Sequence, residues 1–473
     1  MSHSTHGIIT FETSVNCQLR RHLPFDNLMA MPDNEPARLP IYSRRRGRRL
    51  AYQNGASWAL GNGLTSSTLV IYLALELGAP GAGLAISMVL AAPRIAGLLR
   101  LAAPNLIRWF GDRKKFCLVS YLLSLVVLAV LPGCIVARAL QTPTTGLIVL
   151  VVAWCVYHLL EYLGTVGLWA WLGDLVPLRI RGRFLGRRER WMVSGQAVGM
   201  LVAALFTMFV RDGWPELPKW LAYVITAEVG VACMALSLIP LAAMPDPGRA
   251  TGPRAQSPTP KRRLLAPFAD KQFRRLIYFG CWFSFFNGVT QSVQYLYPAR
   301  VLAISLGFML LLKMGMRIGQ LGISPTMGRL ADRFGNRPVM LLALPIVASG
   351  PLFYFFSTPE EWYWMIGAWV AWIAYAGINV CLPNLMLKLS PGEERETYIA
   401  SFYAISGVCI AGSTLLGGWL FDRFGDSPFV VGGWEFSFYE YSFLFGWVTR
   451  TMGVLVLLLI VEGPARDRPD HMT

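Results

Sequence analysis

Long apolar segments alternate with short polar segments along most of this chain, which is the pattern of a protein that crosses a membrane repeatedly. A helix rises about 1.5 Å per residue, so about 20 apolar residues cross the roughly 30 Å hydrocarbon core of a bilayer. Segments of this kind fall near residues 52–76, 81–107, 116–137, 145–172, 191–210, 219–243, 275–299, 303–327, 338–357, 362–387, 397–419 and 439–461. Because a helix satisfies its own backbone hydrogen bonds in lipid, the pattern predicts an all-α membrane protein with twelve transmembrane helices.

The composition supports the same interpretation. The 473 residues are 54% hydrophobic and only 15% charged, whereas about a quarter of the residues in a soluble domain are charged. We therefore expect the apolar excess to face lipid, in a multi-pass protein of the inner or plasma membrane. The eight cysteines are scattered and form no C-x-x-C pair, so we expect small core side chains rather than metal ligands or disulfides.

The basic residues are unevenly distributed between alternate loops. Of the 43 Lys and Arg residues, 33 lie in the N-terminal segment, in every second loop and in the C-terminal segment, and 5 lie in the opposite loops. By the positive-inside rule, this distribution places both termini in the cytoplasm. The basic clusters adjoin the predicted helices, where anionic membrane lipid attracts them, so the net charge of +16 does not require a nucleic-acid partner.

The polar segments divide the chain into five parts. The N-terminal segment has no apolar core, so it predicts a disordered tail rather than a signal peptide. A Pro-rich basic segment in the middle of the chain predicts a linker between two six-helix bundles. The predicted parts are a basic cytoplasmic tail (1–50), an N-terminal bundle (51–243), a cytoplasmic linker (244–272), a C-terminal bundle (273–462) and a C-terminal cytoplasmic tail (463–473).

Two sequence matches relate the halves. Residues 62–67 read Asn-Gly-Leu-Thr-Ser-Ser, and residues 287–292 read Asn-Gly-Val-Thr-Gln-Ser, 225 positions later. A Pro-x-x-x-Arg-x-x-aromatic pattern that contains Arg181 recurs around Arg395, in the corresponding loop. Because both matches occur in the same order, they predict a parallel repeat of two pseudo-symmetric bundles. In such proteins the substrate site lies between the repeats near the bilayer midplane.

One loop carries a recognisable motif. Residues 328–337 read Gly-Arg-Leu-Ala-Asp-Arg-Phe-Gly-Asn-Arg, which resembles the G-x-L-x-D-R-x-G-x-R signature of the major facilitator superfamily, at the place between helices 8 and 9 where that family carries it. The first-half copy, residues 104–113, is degenerate, and Arg108 stands where the family has Asp. A further G-x-L-x-D-R-x-G string spans residues 418–425. The resemblance covers roughly residues 50–462.

The resemblance implies a secondary transporter that works by alternating access. In that family, the loop Asp latches the two halves together on the cytoplasmic side. Here, the resemblance implies that Asp332 faces the start of helix 5, near Arg187, Arg188 and Arg190. A solvated turn that only orients the protein is the alternative. The residues assigned to the gating motif are Gly328, Asp332, Arg333, Gly335, Arg337, Arg181 and Arg395.

Ionisable and amide side chains inside the predicted helices are the candidate substrate ligands. A charge at the bilayer centre costs at least about 2.5 kcal/mol, so such groups usually face a cavity or a partner. Basic residues outnumber acidic ones in these positions, which suits an anionic substrate, while zwitterions and neutral solutes stay open. Snorkelling or packing is the alternative role for the basic residues. The candidate substrate-binding residues are Asn62, Arg94, Asn287, Lys313 and Arg317.

His158 and Glu161 are three residues apart, so they share one face of helix 4. Either side chain is a candidate to carry a coupling proton. The alternative is that Glu161 simply neutralises Arg94 on helix 2.

We therefore predict a secondary active transporter of a small solute, coupled to protons and monomeric, in contact with membrane lipid. No P-loop, nucleophile elbow or metal-spaced His/Cys set occurs, so neither an enzyme nor a cofactor is expected. A multidrug-type exporter, or a sensor or scaffold that does not transport, are the alternative functions. The sequence leaves the substrate, the coupling ion and the direction of transport open.

Overall fold

The structure is a computed structural model, and it describes residues 40–76, 82–98, 103–139, 142–176, 178–214, 216, 218–246, 266–391, 395–425, 427, 429–431 and 434–462. Residues 1–39, most of the predicted linker and the predicted C-terminal tail lie outside this description.

Helices make up nearly all of the first half, which we define as residues 40–246. They are α1 (Ile41–Leu64), α2 (Ser67–Glu76), α3 (Ala82–Leu98), α4 (Ala103–Phe110), α5 (Arg113–Ala139), α6 (Pro143–Leu175), α7 (Leu178–Gly213) and α8 (Lys219–Ala243).

The second half, residues 266–462, is also helical but contains a small β-hairpin that the sequence did not predict. Its helices are α9 (Lys271–Arg300), α10 (Leu306–Phe334), α11 (Asn336–Ala348), α12 (Gly350–Phe355), α13 (Trp364–Ala371), a 3-10 turn (Trp372–Ala374), α14 (Tyr375–Leu389), α15 (Arg395–Phe424) and α16 (Phe438–Leu458). The antiparallel strands β1 (Phe429–Val431) and β2 (Trp434–Phe436) form the hairpin between α15 and α16.

The helical membrane fold is confirmed, and each predicted span overlaps a helix. Among the described residues, ten helical segments are long and apolar enough to cross a membrane. The second and seventh predicted spans are not among these ten segments, and the reasons are different. In the second span, residues 99–102 between α3 and α4 are not described. The seventh span is one long helix, α9, but it carries Asn287 and a polar run at residues 290–292.

The first helix begins earlier than the sequence predicted. A disordered tail up to residue 50 is wrong for residues 41–50, because they form the first turns of α1. These turns pack against the protein: a Cβ on Gly47 would lie 3.0 Å from Leu175 and 3.2 Å from Pro245. Their arginines hid the helix from a hydropathy pattern, because charged residues beyond a membrane helix lower the local hydrophobicity.

The repeated Asn-Gly pairs pack in corresponding places in the two halves. A Cβ on Gly63 of α1 would lie 2.4 Å from the Gln196 carbonyl oxygen of α7. A Cβ on Gly288 of α9 would lie 2.7 Å from the Ile410 carbonyl oxygen of α15. In each half the glycine therefore lets two helix backbones approach closely, as small residues do at helix interfaces in membranes.

A second pair of contacts repeats between the halves. Thr65 lies against Gly230 of α8, where a Cβ would be 2.6 Å from the threonine methyl carbon. Thr290, 225 positions after Thr65, lies against Gly446 of α16, where the equivalent distance is 3.0 Å. The same residue types thus make the same contact in both halves, which supports the proposed internal repeat.

Ionic contacts tie helix ends together on one face, which we call the terminal face because Pro40 and Glu462 lie there. The Glu462 carboxylate accepts from Asn336 Nδ2 at 2.8 Å, from the Arg337 backbone N–H at 2.9 Å and from Lys388 Nζ at 3.0 Å. In the first half, Arg113 and Asp246 form an ion pair of 3.0 Å at the corresponding place. The other end of the bundle is called the opposite face below.

The Glu462 carboxylate accepts hydrogen bonds from the first residues of α11. Burial alone raises the pKa of this carboxyl, but hydrogen bonds from Arg337, Asn336 and Lys388 outweigh burial and hold the pKa below its usual value. A group with a lowered folded-state pKa stabilises the fold above its unfolded pKa of about 4.3, and the stabilisation is lost as the pH falls through the folded value.

We therefore expect Glu462→Gln to lower the free energy of unfolding at pH 7 by about 1–3 kcal/mol, as for other hydrogen bonds to charged groups. The gap between wild type and variant should close as the pH falls below about 4. Thermal unfolding in detergent across a pH series measures this. The exposed Glu360→Gln is the control and should behave as wild type. A gap that stayed constant at low pH would contradict the assignment.

Candidate functional site

The two halves are joined tightly at the opposite face by a carboxylate. Asp422, near the end of α15, accepts hydrogen bonds from the backbone N–H groups of Gly83 and Leu84, both at 2.8 Å. These N–H groups belong to the first turn of α3, where unpaired donors and the helix dipole favour an anion. A Cβ on Gly83 would lie 2.6 Å from the Gly418 carbonyl oxygen, so the two backbones touch.

Further contacts extend this closure across the opposite face. Ser87 of α3 and Ser292 of α9 are hydrogen-bonded at 2.7 Å, and both side chains are fully buried. The Tyr72 hydroxyl of α2 donates to the Ile304 carbonyl at 2.9 Å. A Cβ on Gly307 of α10 would lie 2.9 Å from the Ala204 carbonyl oxygen of α7. Two pairs of helices, and a contact from α2 to the loop between α9 and α10, therefore bring the halves together at this end.

The predicted latch of the loop motif is not formed in this conformation. Asp332 and Arg333 are exposed, and Asp332 makes no ion pair within the described parts of the chain. The Arg187 guanidinium lies 5.9 Å from the Tyr52 ring, and buried Arg188 lies 5.4 Å from the Trp169 ring. The structure thus combines a closed opposite face with an unlatched terminal face.

The remaining motif residues have different surroundings. Gly328 lies inside α10 with open space where a Cβ would be. Gly335 forms the turn between α10 and α11, with a φ of +94° that favours glycine. Arg337 donates to the Leu458 carbonyl at 2.8 Å. Arg181 and Arg395 lie in α7 and α15, but the structure does not describe their side chains.

A basic group lies where the two halves meet. Lys313 of α10 donates from Nζ to the Thr68 hydroxyl of α2 at 3.2 Å, which joins the second half to the first. The Tyr295 phenol of α9 lies close to the Thr68 side chain and interacts electrostatically with Arg317 and Arg94. Arg94 of α3 is exposed. Lys313 therefore contacts Thr68 directly, whereas Arg317 and Arg94 interact electrostatically with the neighbouring Tyr295.

Two breaks in membrane-spanning helices lie next to the residues of this basic group. The first span is interrupted at Thr65 and Ser66, directly before Thr68. The tenth is interrupted by the 3-10 turn, whose Trp372 carbonyl accepts from Gln320 Nε2 at 3.0 Å. Arg317 in turn donates to Gln320 Oε1 at 3.4 Å. Broken helices near the membrane midplane expose backbone polar groups, and they are a recurrent device of transporter sites.

The two asparagines predicted to bind substrate lie in different halves and have different hydrogen-bond partners. Asn62 accepts from Gln196 Nε2 at 3.2 Å, so it belongs to a polar contact within the first half. Asn287 acts through its backbone carbonyl, which accepts from Arg450 at 3.4 Å. Neither asparagine is brought into contact with Lys313.

His158 and Glu161 lie together, as their spacing predicted. His158 Nδ1 is 3.6 Å from Glu161 Oε2, and both side chains are largely buried. Glu161 also accepts from Thr165 at 3.4 Å. The imidazole packs against three aromatic rings, of which Trp154 is nearest at 4.5 Å, and neither ring nitrogen has a hydrogen bond in the described structure. Glu161 therefore faces His158 rather than Arg94.

Sequence reasoning missed Arg450 of α16, which is fully buried. Its guanidinium donates to the Thr290 hydroxyl and interacts with the Tyr375 phenol. Arg450 could have been identified from the sequence, because it is a basic residue within the predicted span 439–461. Thr68, Tyr295, Gln320 and Asp422 were also missed, but their residue types are common and only the tertiary contacts reveal them.

Comparisons with known proteins show which sequences and folds the chain resembles. The sequence model described as the Major Facilitator Superfamily matches residues 314–471. A tetracycline resistance protein, class H, of Pasteurella multocida is 33% identical over 111 residues, which are 24% of this chain and only 27% of that relative.

Solved transporters share the fold at low sequence identity. The nucleoside transporter NupG superposes with a TM-score of 0.62 at 13% identity, over 88% of this chain and 98% of that one. The xylose transporter XylE of E. coli in its inward open conformation gives 0.64 at 14% identity, over 89% and 97%. A D-xylose-proton symporter gives 0.63 at 15% identity, over 89% and 98%.

The chain is thus an integral, multi-pass helical membrane protein with the fold of a solute transporter. Its resemblance to the major facilitator superfamily, first indicated by the loop motif, is confirmed.

The Asp422 contact predicts how the opposite face opens. We expect Asp422→Asn to weaken the charge–dipole contact with α3, so that a cysteine replacing Ser292 in a cysteine-free background reacts faster with a membrane-impermeant maleimide. An increase of about three- to tenfold corresponds to about 0.7–1.4 kcal/mol of helix-terminus interaction.

Glu440→Gln is the matched control for this experiment. Glu440 is also a carboxylate at the opposite face, but it caps its own helix α16 through Ser437. Labelling that rose equally in both variants would mean that Asp422 has no special part in closing the halves.

Proposed function

We propose that this protein is a secondary active transporter that carries a small solute by alternating access. The observation that carries the proposal is the polar group between the halves, in which Lys313 contacts Thr68 below a closed opposite face. The predicted orientation makes the terminal face cytoplasmic, so this conformation would be inward-facing. The likeness to the inward open form of XylE is consistent with that.

The site favours a substrate that carries a negative charge. Lys313, Arg317 and Arg94 are all basic, and no ion pair joins any of them to a carboxylate in the described residues. Lys313 and Arg317 are partly buried, and like charges withdrawn from water repel each other unless an anion or a cavity relieves them. An anionic or carboxylate-bearing solute would supply the missing charge, with Tyr295 and Thr68 as hydrogen-bonding partners.

Proton coupling would use His158 and Glu161. The two groups are in contact at 3.6 Å and are largely shielded from solvent. Imidazole is the side chain whose charge changes most readily near neutral pH, and an adjacent carboxylate would stabilise its protonated form. They lie in α6 of the first half, whereas the basic group is mainly on α10 of the second half. Protonation at one half and substrate binding at the other would bias the same rocking motion.

The proposal predicts that Lys313→Gln weakens substrate binding and lowers flux. Glutamine can retain the hydrogen bond to Thr68 but loses the charge. A thermal-shift panel of small carboxylates, phosphate esters, nucleosides, D-xylose and tetracycline selects the solute, whose uptake into proteoliposomes is then measured. For an anionic solute, we expect the flux to fall by about tenfold or more, because a charge-assisted hydrogen bond contributes about 1.5–3 kcal/mol.

Arg329→Gln is the matched control. Arg329 is on the same helix, but it is exposed and bonds only to Thr326 one turn away. Equal flux in wild type and Lys313→Gln would remove the basic group from the substrate site. Absence of both flux and thermal shift for every solute of the panel would favour a sensor or scaffold instead.

The proton hypothesis makes a separate prediction. Glu161→Gln should abolish accumulation driven by a pH gradient, while exchange of labelled for unlabelled solute without a gradient continues, because only the proton-binding step is lost. Glu228→Gln, the other described intramembrane carboxylate of the first half, is the control. Wild-type accumulation that persisted after the gradient was collapsed would refute proton coupling.

Drug export is the second candidate function. The relative from Pasteurella multocida is named as a tetracycline resistance protein, and the matched stretch is a quarter of this chain. Tetracycline in the panel tests this directly: outward transport of tetracycline with no response to small anions would favour an exporter.

A further inference from the structure

A cavity at the terminal face has no role in the transport proposal. It has a volume of about 780 Å³ and opens between the first part of α1 and α7, which is within the range of about 300–1,000 Å³ that small-molecule sites occupy. The residues that matter for its chemistry are Arg45, Arg48, Arg49, Tyr52, Arg187 and Trp191. We call it the arginine cavity.

The cavity is strongly basic because of the helical spacing on α1. Positions 45, 48, 49 and 52 lie on one face of a helix, since residues three and four apart are neighbours. Arg45, Arg48 and Arg49 therefore line the same wall, and Arg187 of α7 adds a fourth guanidinium from the facing helix. No carboxylate is among the described residues that line it. Four like charges around one concave space attract anions.

The wall of the cavity is held in place by packing. The Tyr52 ring stacks on Phe184 with 5.1 Å between centroids, and Phe184 is buried. The Arg187 guanidinium lies 5.9 Å from the Tyr52 ring. On the other side of α1, Gly47 contacts Leu175 and Pro245. The arginines thus project from a helix whose position is fixed before any ligand binds.

We propose that the arginine cavity binds a phosphate group, supplied either by the headgroup of an acidic phospholipid or by a free phosphate ester. The planar guanidinium presents paired N–H donors that match phosphate oxygens, and several guanidiniums converge here. None of the residues that line the cavity belongs to the basic group at Lys313. The proposal therefore does not depend on transport.

The test compares two double variants of the full-length protein that remove the same charge. Arg45→Gln with Arg48→Gln alters the cavity. Arg44→Gln with Arg46→Gln is the control, because these arginines are on the same turns of α1 but do not line the cavity. Two probes are used at low ionic strength: inorganic pyrophosphate titrated in neutral detergent, and nanodiscs of phosphatidylcholine with or without phosphatidylglycerol.

We expect at least one probe to raise the unfolding temperature of wild type and control. The cavity variant should bind that probe about tenfold or more weakly, as expected when charged hydrogen-bond donors are lost. A response to phosphatidylglycerol alone identifies a lipid headgroup, and a response to pyrophosphate identifies a free phosphate. Arg187→Gln, on the other helix, should also weaken binding and serves if the double variant folds poorly.

Two results would overturn the proposal. Equal weakening in both double variants would mean a general attraction of the basic face for anions, without a site. No stabilisation of wild type by either probe would mean that the cavity does not bind phosphate.

Discussion

Polar groups inside the bilayer must find their partners within the protein, and this constraint determines the arrangement of both halves. Water is absent from the hydrocarbon core, so an unpaired backbone or side-chain group there costs several kcal/mol. The Trp372 carbonyl, freed by the break in the tenth span, is satisfied by Gln320. Buried Arg450 is satisfied by Thr290 and the Asn287 carbonyl. These bonds join helices that lipid alone would not drive together, because apolar side chains pack equally well against lipid.

Helix ends extend the same constraint to both faces of the bundle. The first N–H groups of a helix have no partner within it. Glu462 satisfies those of α11 and holds one half together at the terminal face, whereas Asp422 satisfies those of α3 and joins the two halves at the opposite face. The motif around Asp422 resembles the loop motif around Asp332, yet only Asp422 is engaged. A carboxylate at each face would allow one contact to form as the other breaks.

The sequence predicted the helices well because hydrophobicity is a local property. It failed where a contact from elsewhere decides the structure. The arginines at the start of α1 resembled a disordered tail, and only the packing of Gly47 against Leu175 shows why they are helical. For the candidate site, charge inside a span identified Lys313, Arg317 and Arg94, and the same criterion applied consistently would have included Arg450. Thr68 and Tyr295 had no signal, since their importance comes from which helices meet.

The repeat also explains why the two halves are not equivalent. Gly230 and Gly446 make the same contact 216 positions apart, and the same offset relates Met234 to Arg450. Both side chains are fully buried, but one is apolar and the other charged. Conversely, the first half contains an ionisable pair of its own, His158 and Glu161. Under the proposed function, this symmetric frame would carry a proton-exchanging pair in one half, and Lys313 and Arg317 of the substrate site in the other. In that proposal, different residues would bind the proton and the anion, so the two would act on one interface without competing for one side chain.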